Sequence, residues 1–211
     1  MSKIMIVDDH PVILIALRAL FEQDGHDVIA ESNNGIDALT EAKLLLPDLL
    51  VLDLALPTLD GLEVIARLRS HDMAVPVLVF TSHKPSVFMR RCQRAGASGF
   101  VWKQGDLLEV RHAVNTILSG HTYFRRPHDL PLIPNDTEEI EVELLDHLSN
   151  REFRVLQCLT DGMLNKDIAK SMMLSEKTVS TYKTRLLAKL KMQSLLELIE
   201  FGKRNDVTNI I

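Results

Sequence analysis

Apolar residues along the first 124 positions follow two alternating rhythms. Short continuous runs lie at Lys3–Val7, 28–31, Leu49–Leu52, 76–81 and Gly99–Trp102. Unbroken apolarity over four to six residues, bounded by Pro, Gly or acids, is the mark of strands buried on both faces. Between these runs apolar positions return every three or four residues, the helical period. The first helix opens at Pro11 and stops at Gly25, with Val12, Ile15, Ala16, Ala19 and Leu20 as its expected stripe. The second covers 35–46 through Ile36, Leu39, Ala42 and Leu46, and the third runs through Leu62, Ile65, Ala66 and Leu68. Helices at Pro85–Ala95 and 106–119 follow, each closed by a glycine, Gly96 and Gly120. Five alternations of strand and helix predict an α/β doubly wound fold with a five-stranded parallel sheet.

The pattern changes after residue 124. Pro127, Pro131 and Pro134 forbid a regular element through them, and 136–146 is acidic, with Ile140, Leu144 and Leu145 marking a marginal helix. Residues 125–147 are therefore read as a linker between a first domain, 1–124, and a second, 148–211. The second is all-α. Ser149 and Glu152 fit a capping box, and Phe153, Leu156 and Leu159 form the core face of the helix that follows. Asn165 is placed as the cap of a short helix carrying Ile168, Ala169 and Met172. Ser175 caps a third helix, 176–191. There Val179, Tyr182, Leu186 and Leu190 face inward, Lys177, Ser180, Thr181 and Thr184 face outward, and Lys183 and Arg185 flank them. A last helix, 194–204, carries Leu195, Leu198, Ile199 and Gly202 on one side, to complete the core or to meet a second chain.

Charge sharpens this division. The chain has a net charge of -5, but residues 149–205 hold 11 Lys+Arg against 6 Asp+Glu, whereas 125–148 hold 2 against 7. Polyanion binding belongs to the basic back of the chain. No apolar run reaches the roughly 20 residues of a membrane span. Asp8 and Asp9 fall where a signal peptide needs its apolar core, so a cytoplasmic protein is expected. Cys92 and Cys158 have no metal-like spacing and read as plain thiols.

The polar residues of the first domain gather at strand ends: Asp8 and Asp9 after the first strand, Asp53 after the third, Thr81 after the fourth and Lys103 after the fifth. Each alone is accounted for as a turn or cap residue. Together they fall on one edge of a parallel sheet, where open α/β sheets place their sites. Asp8, Asp9 and Asp53 brought close would repel one another and invite Mg2+ or Mn2+. Asp53, at the tip of a buried strand, can act as a nucleophile toward a phosphoryl group, with Lys103 and the Thr81 hydroxyl binding its oxygens. In the second domain a short helix, a tight turn and a helix displaying hydroxyls and lysines meet the requirements of a major-groove reader. Ser180, Thr181 and Thr184 lie toward base edges, and Lys166, Lys177, Lys183 and Arg185 toward phosphates. An ordinary solvated helix face explains the third helix taken in isolation; the local charge and the helix-turn-helix spacing argue against it.

Two resemblances follow from these motifs. Ile-Val-Asp8-Asp9-His, Leu-Asp53-Leu-Ala-Leu-Pro57, Asp60-Gly61, Phe80-Thr81-Ser82 and Gly-Phe100-Val-Trp-Lys103 are similar to the receiver domain of two-component response regulators. That resemblance implies Asp53 as phospho-acceptor, Asp8 and Asp9 at Mg2+, Thr81 and Phe100 as paired switch residues, and Lys103 on the phosphoryl group. Gln104 stands where many receivers have proline, which bears on the loop and not on the lysine. Leu148-Ser-Asn-Arg-Glu152, Asn165-Lys-Asp-Ile-Ala169 and Leu174-Ser-Glu-Lys-Thr-Val179 resemble the LuxR/NarL helix-turn-helix domain, and the wording around Thr122-Tyr-Phe124 and 177–187 is similar to the BvgA/EvgA subgroup. Together they imply a phosphorylation-controlled transcriptional regulator and not an enzyme. Its partners would be a sensor histidine kinase and double-stranded promoter DNA, with a homodimer when phosphorylated. The rival, a phosphoaspartyl hydrolase on a similar sheet, would need a general acid two residues after the nucleophile, where this chain has Ala55. A second rival keeps the fold but does without phosphorylation, and it is disfavoured because no residue of the acidic site is missing.

Overall fold

The computed structural model describes residues 1–125 and 136–208. Contacts divide the chain into two units, Met1–Asp129 and Leu130–Ile211. The prolines expected to break the linker, Pro127, Pro131 and Pro134, lie outside the described residues.

In the first unit β1 (Lys3–Val7), β2 (Asp27–Ser32), β3 (Leu49–Leu52), β4 (Val77–Thr81) and β5 (Gly99–Trp102) alternate with α1 (Pro11–Gln23), α2 (Gly35–Leu45), α3 (Gly61–Ser70), α4 (Pro85–Ala95) and α5 (Leu107–Leu118). The strands form one parallel sheet in the order β2-β1-β3-β4-β5, extended by a sixth strand of two residues, β6 (Tyr123–Phe124). Too short for any periodicity, β6 pairs Tyr123 with Gly99 and Phe124 with Phe100. Every residue of β3 and β4 is buried, as a central parallel strand requires. Ile4, Ile6, Leu49, Val51, Leu78, Phe80 and Val101 meet α1 and α5 on one face of the sheet. The alternate residues, Met5, Val7, Leu50, Leu52, Val79 and Phe100, point to the face covered by α2, α3 and α4.

The stripe on α1 differs from expectation. Leu17 and Phe21 are its buried residues, with Ile13, Leu14 and Leu20 packed beside them, while Val12 and Ile15 are 75% and 70% exposed. The helix is apolar almost all round, so two stripes satisfy the helical period, and the one through Ile13, Leu17 and Phe21 is turned to the sheet. On α2 the small residues Ala38 and Ala42 face inward, and Ile36 and Leu46 are exposed. Leu46 has left the helix as its left-handed C-cap.

The second unit holds α6 (Asp136–Asp146), α7 (Asn150–Thr160), α8 (Asn165–Ser171), α9 (Glu176–Leu190) and α10 (Leu195–Arg204). Ser149 and Glu152 form the expected capping box on α7. Phe153, Leu156, Ile168, Val179, Leu186, Leu190, Leu198 and Phe201 are buried, and each such side chain contributes about 1.5–3 kcal/mol. α10 crosses α7 so closely that a β-carbon on Gly202 would collide with the Thr160 hydroxyl. The acidic helix α6 packs within this unit. Leu145 is 1% exposed, and Arg204 holds Glu141 at 2.6 Å while Asn205 donates to the same carboxylate at 2.8 Å. Asn165 does not cap α8. Leu164 occupies the N-cap position without a side-chain bond, and the Asn165 side chain turns to α9 instead.

Candidate functional site

The strand ends of the first unit bring Asp8, Asp53, Thr81 and Lys103 to one edge of the sheet. Asp53 follows β3 directly, and its backbone N–H donates to Val7 O at 2.9 Å, which fixes it beside the end of β1. It is 2% exposed. Oδ1 accepts from the backbone N–H of Leu54 at 2.6 Å, and Oδ2 lies 2.7 Å from Lys103 Nζ. The same ammonium is 2.7 Å from Asp8 Oδ2. The loop after Asp53 returns through Gly61, whose N–H donates to Leu54 O at 3.0 Å, and any side chain there would strike the Asp53 carbonyl oxygen. Asp60 caps α3 through Glu63 N at 2.9 Å.

Burial raises the Asp8 carboxyl above its usual range, the charge of Asp53 adds to this, and Lys103 only partly offsets it. Burial works against the charge of Lys103 too, but Asp53 and Asp8 outweigh it and hold the ammonium protonated. The result is an acidic cluster with one cation wedged into it. Asp8, Asp9, His10 and Asp53 each offer a ligand atom, all within 4.8 Å of one another. Three carboxylate donors at an edge suit a hard divalent cation such as Mg2+, which takes one or two carboxylates and keeps its other positions for water and phosphoryl oxygen. His10 joins the site although it is not one of the strand-end residues the pattern singles out. Its Nδ1 lies 2.7 Å from Asp9 Oδ1, and its backbone N–H donates to Asp8 Oδ1 at 3.0 Å. Its place directly after the two acids was the available signal.

Thr81 ends β4 fully buried, and its hydroxyl accepts from His83 N at 3.4 Å while its carbonyl accepts from Lys103 N at 2.8 Å. Phe100 is 1% exposed in β5, paired in register with Val79 on one side and Phe124 on the other.

In the second unit α9 presents Lys177, Ser180, Thr181, Thr184 and Arg185 to solvent, as does α8 Lys166. Arg185 lies 5.9 Å over the ring of Tyr182. Lys183 departs from the expected phosphate-facing set. It is half-buried, with Nζ donating to Asn165 Oδ1 at 3.2 Å, and Asn165 Nδ2 reaches Ser180 Oγ at 3.4 Å. A long amphipathic chain at the rim of the α8–α9 packing lays its stem on apolar surface and finds a local acceptor. Lys189, from the end of α9, reaches back to the buried Glu152 at 2.7 Å. This tie between the capping box and α9 is invisible to local patterning, because its partners are 37 residues apart.

Comparison with known proteins is consistent with these geometries. Residues 4–115 match the response regulator receiver domain, and 146–201 match the bacterial regulatory proteins of the luxR family. The chain is 51% identical over 206 residues to the virulence-factor transcription regulator BvgA of Bordetella pertussis, covering 98% of this chain and 99% of that one. It is 32% identical to the DNA-binding transcriptional activator EvgA of Escherichia coli, covering 96% and 98%. Among solved structures, the RcsB response regulator of Salmonella typhimurium superposes with a TM-score of 0.75 at 23% identity over 97% of this chain and 98% of that one, a likeness of fold.

Proposed function

The chain belongs to the response regulators that join a receiver domain to a LuxR-family DNA-binding domain, and on that premise we propose that Asp53 is its phospho-acceptor and α9 its reading helix. Members of this family regulate transcription and are not enzymes. The observation that carries the first assignment is the environment of Asp53: a buried carboxylate at a strand tip, one oxygen on a backbone N–H and the other on Lys103 at 2.7 Å.

In this reading a sensor histidine kinase donates the phosphoryl group. An Asp53 carboxylate oxygen forms the new O–P bond as the N–P bond to the kinase histidine breaks. Receiver domains bind Mg2+ at an acidic pocket, and here Asp8, Asp9 and Asp53 would hold it. Held there, it would supply positive charge against the crowded carboxylates and the incoming phosphoryl oxygens. Lys103 exchanges its contact with Asp53 for a phosphoryl oxygen. The Thr81 hydroxyl binds another, and the already buried Phe100 repacks against it, a local change that biases the surface beyond. The phosphorylated chain then forms a homodimer on double-stranded promoter DNA, setting two copies of α9 into half-sites about one helical turn, roughly 10 bp, apart. A cytoplasmic location suits a protein that meets both a kinase and DNA. Among the described residues no helix is long and apolar enough to cross a membrane.

The test is phosphorylation of the full-length chain by a small phosphodonor with Mg2+, followed by footprinting on genomic fragments. Wild type should gain one acid- and base-labile phosphate and a sharper footprint. Equal labelling of Asp53→Asn would overturn the assignment.

A further inference from the structure

The hydroxyl groups along the outward face of α9 are already bonded. Ser180 Oγ donates to Glu176 O at 3.0 Å, Thr181 Oγ1 to Lys177 O at 3.0 Å and Thr184 Oγ1 to Ser180 O at 3.2 Å. Each has turned back on the carbonyl four residues earlier, the habit of Ser and Thr inside helices. The proton of each hydroxyl is therefore committed to the helix, and the oxygens remain only as acceptors. Ser180 Oγ is further occupied by Asn165 Nδ2 at 3.4 Å.

For a threonine this arrangement also fixes the methyl group. In a helix threonine settles in the wells that let Oγ1 bond the carbonyl a turn back. With Oγ1 held on that carbonyl, Cγ2 takes a different staggered position and is the γ substituent left without a bond to the helix. Thr181 and Thr184 are both exposed and stand three residues apart, neighbours on one face of α9. That face therefore presents two adjacent methyl groups where the residue types alone promise two hydroxyl donors. In the major groove the matching feature is the 5-methyl of thymine, which accepts apolar contact from a threonine methyl.

We propose that α9 selects its sites by packing the Thr181 and Thr184 methyl groups against thymine 5-methyls, and not by hydroxyl donation to base edges. This rests on the reading of α9 given above and adds what kind of contact it makes. The consequence is a preference for thymines at neighbouring positions in each half-site. Lys177 and Arg185, exposed beside the pair, would supply the sequence-independent attraction to phosphates.

The experiment uses phosphorylated full-length protein and a duplex that this protein selects from a random-sequence pool. Each thymine of the protected half-site is replaced singly by deoxyuridine, which lacks only the methyl. Binding is measured for wild type and for Thr181→Val, Thr184→Val, Thr181→Ser and Thr184→Ser. Deoxyuridine at one or two positions should weaken wild type by about fourfold each, the value of burying one CH2-sized group. The valine variants keep a methyl on the same face and should retain that sensitivity at the matching position, whatever their absolute affinity. The serine variants should bind more weakly and lose it at the matching position. The reverse pattern, with serine tolerated, valine harmful and deoxyuridine neutral, would mean that hydroxyls read the bases and would overturn this inference alone. Indifference to all five changes would remove α9 from the groove and overturn the reading-helix assignment with it.

Discussion

Lys103 Nζ lies 2.7 Å from Asp53 Oδ2, and the same nitrogen lies 2.7 Å from Asp8 Oδ2. One ammonium thus holds together two carboxylates that are 2% and 1% exposed, on strands that neighbour each other in the sheet. Taking away one member of a buried ionic cluster leaves the others uncompensated, which typically costs about 3 kcal/mol. Lys103→Ala should therefore destabilise the metal-free first unit by about that amount. Added Mg2+ should recover part of the loss, so the variant's stability should depend on Mg2+ more steeply than that of wild type. Urea unfolding followed by the fluorescence of Trp102, the chain's one tryptophan, reports on this unit directly. A variant as stable as wild type without Mg2+ would show that the lysine does not hold the cluster.

Gly61 matters for a different reason. It begins α3 while lying against the backbone of Asp53, and a methyl there would overlap the Asp53 carbonyl oxygen. Backbone cannot move aside as a flexible side chain can. Gly61→Ala is expected to cost about 1–3 kcal/mol, the usual range for overpacking, and to slow labelling by a small phosphodonor, since the displaced group carries the acceptor. Trp102 unfolding and the rate of phosphate incorporation check the two effects separately. Normal labelling in a destabilised variant would uncouple the loop from the site.

The sequence revealed the receiver-like edge because each of its residues ends a strand, and strand ends are marked by abrupt changes from apolar to polar. Asp53 after Leu49–Leu52 is one example, and Lys103 after Gly99–Trp102 is another. It failed where two patterns were equally good or where none existed. The apolar surface of α1 offers two stripes of equal periodicity, and the one through Val12 and Ile15 faces solvent. β6 has two residues and no rhythm. In the second unit, Asn165 has the right identity for a cap, yet its side chain is taken by Lys183 and Ser180 from the next helix. Tertiary partners at a separation of 15 or 18 residues leave no local trace.

Glu152 gives the second unit a pH dependence. Burial alone would raise its carboxyl, but the hydrogen bond from Lys189 and those from Ser149 outweigh this and hold it below the usual glutamate range. A lowered folded-state pKa means stability that is present above the unfolded value and lost as pH falls through the folded one. Wild type should thus lose stability in this unit as pH falls below the ordinary glutamate range, and Glu152→Gln should show a flatter profile. Glutamine keeps the capping box, so the variant isolates the charge. Lys189 is 43% exposed, so the pair is partly screened and the difference at neutral pH should be about 1 kcal/mol. Amide hydrogen exchange across Asn150–Thr160 and Glu176–Leu190, measured at both ends of the pH range, reads this unit alone. Parallel profiles for the two proteins would remove Glu152 as the cause.

Lys183 and Lys177 look alike in sequence but differ in surroundings, and a salt titration should separate them. Each cation that neutralises a phosphate releases counterions, and its removal lowers the slope of log affinity against log salt by about one. Lys177 is exposed and Lys183 is half-buried, its ammonium on Asn165 at 3.2 Å. Lys177→Ala should reduce the slope by about one unit and weaken binding to every duplex alike. Lys183→Ala should leave the slope nearly unchanged. It should instead remove a hydrogen bond between α8 and α9, at about 1 kcal/mol of stability, and loosen the angle at which α9 is presented. Its effect on affinity should then be larger for the selected duplex than for random DNA, since orientation matters most where bases are read. A full unit lost from the slope of Lys183→Ala would mean that DNA draws the lysine away from Asn165, and that the α8–α9 bridge belongs to the unbound state alone.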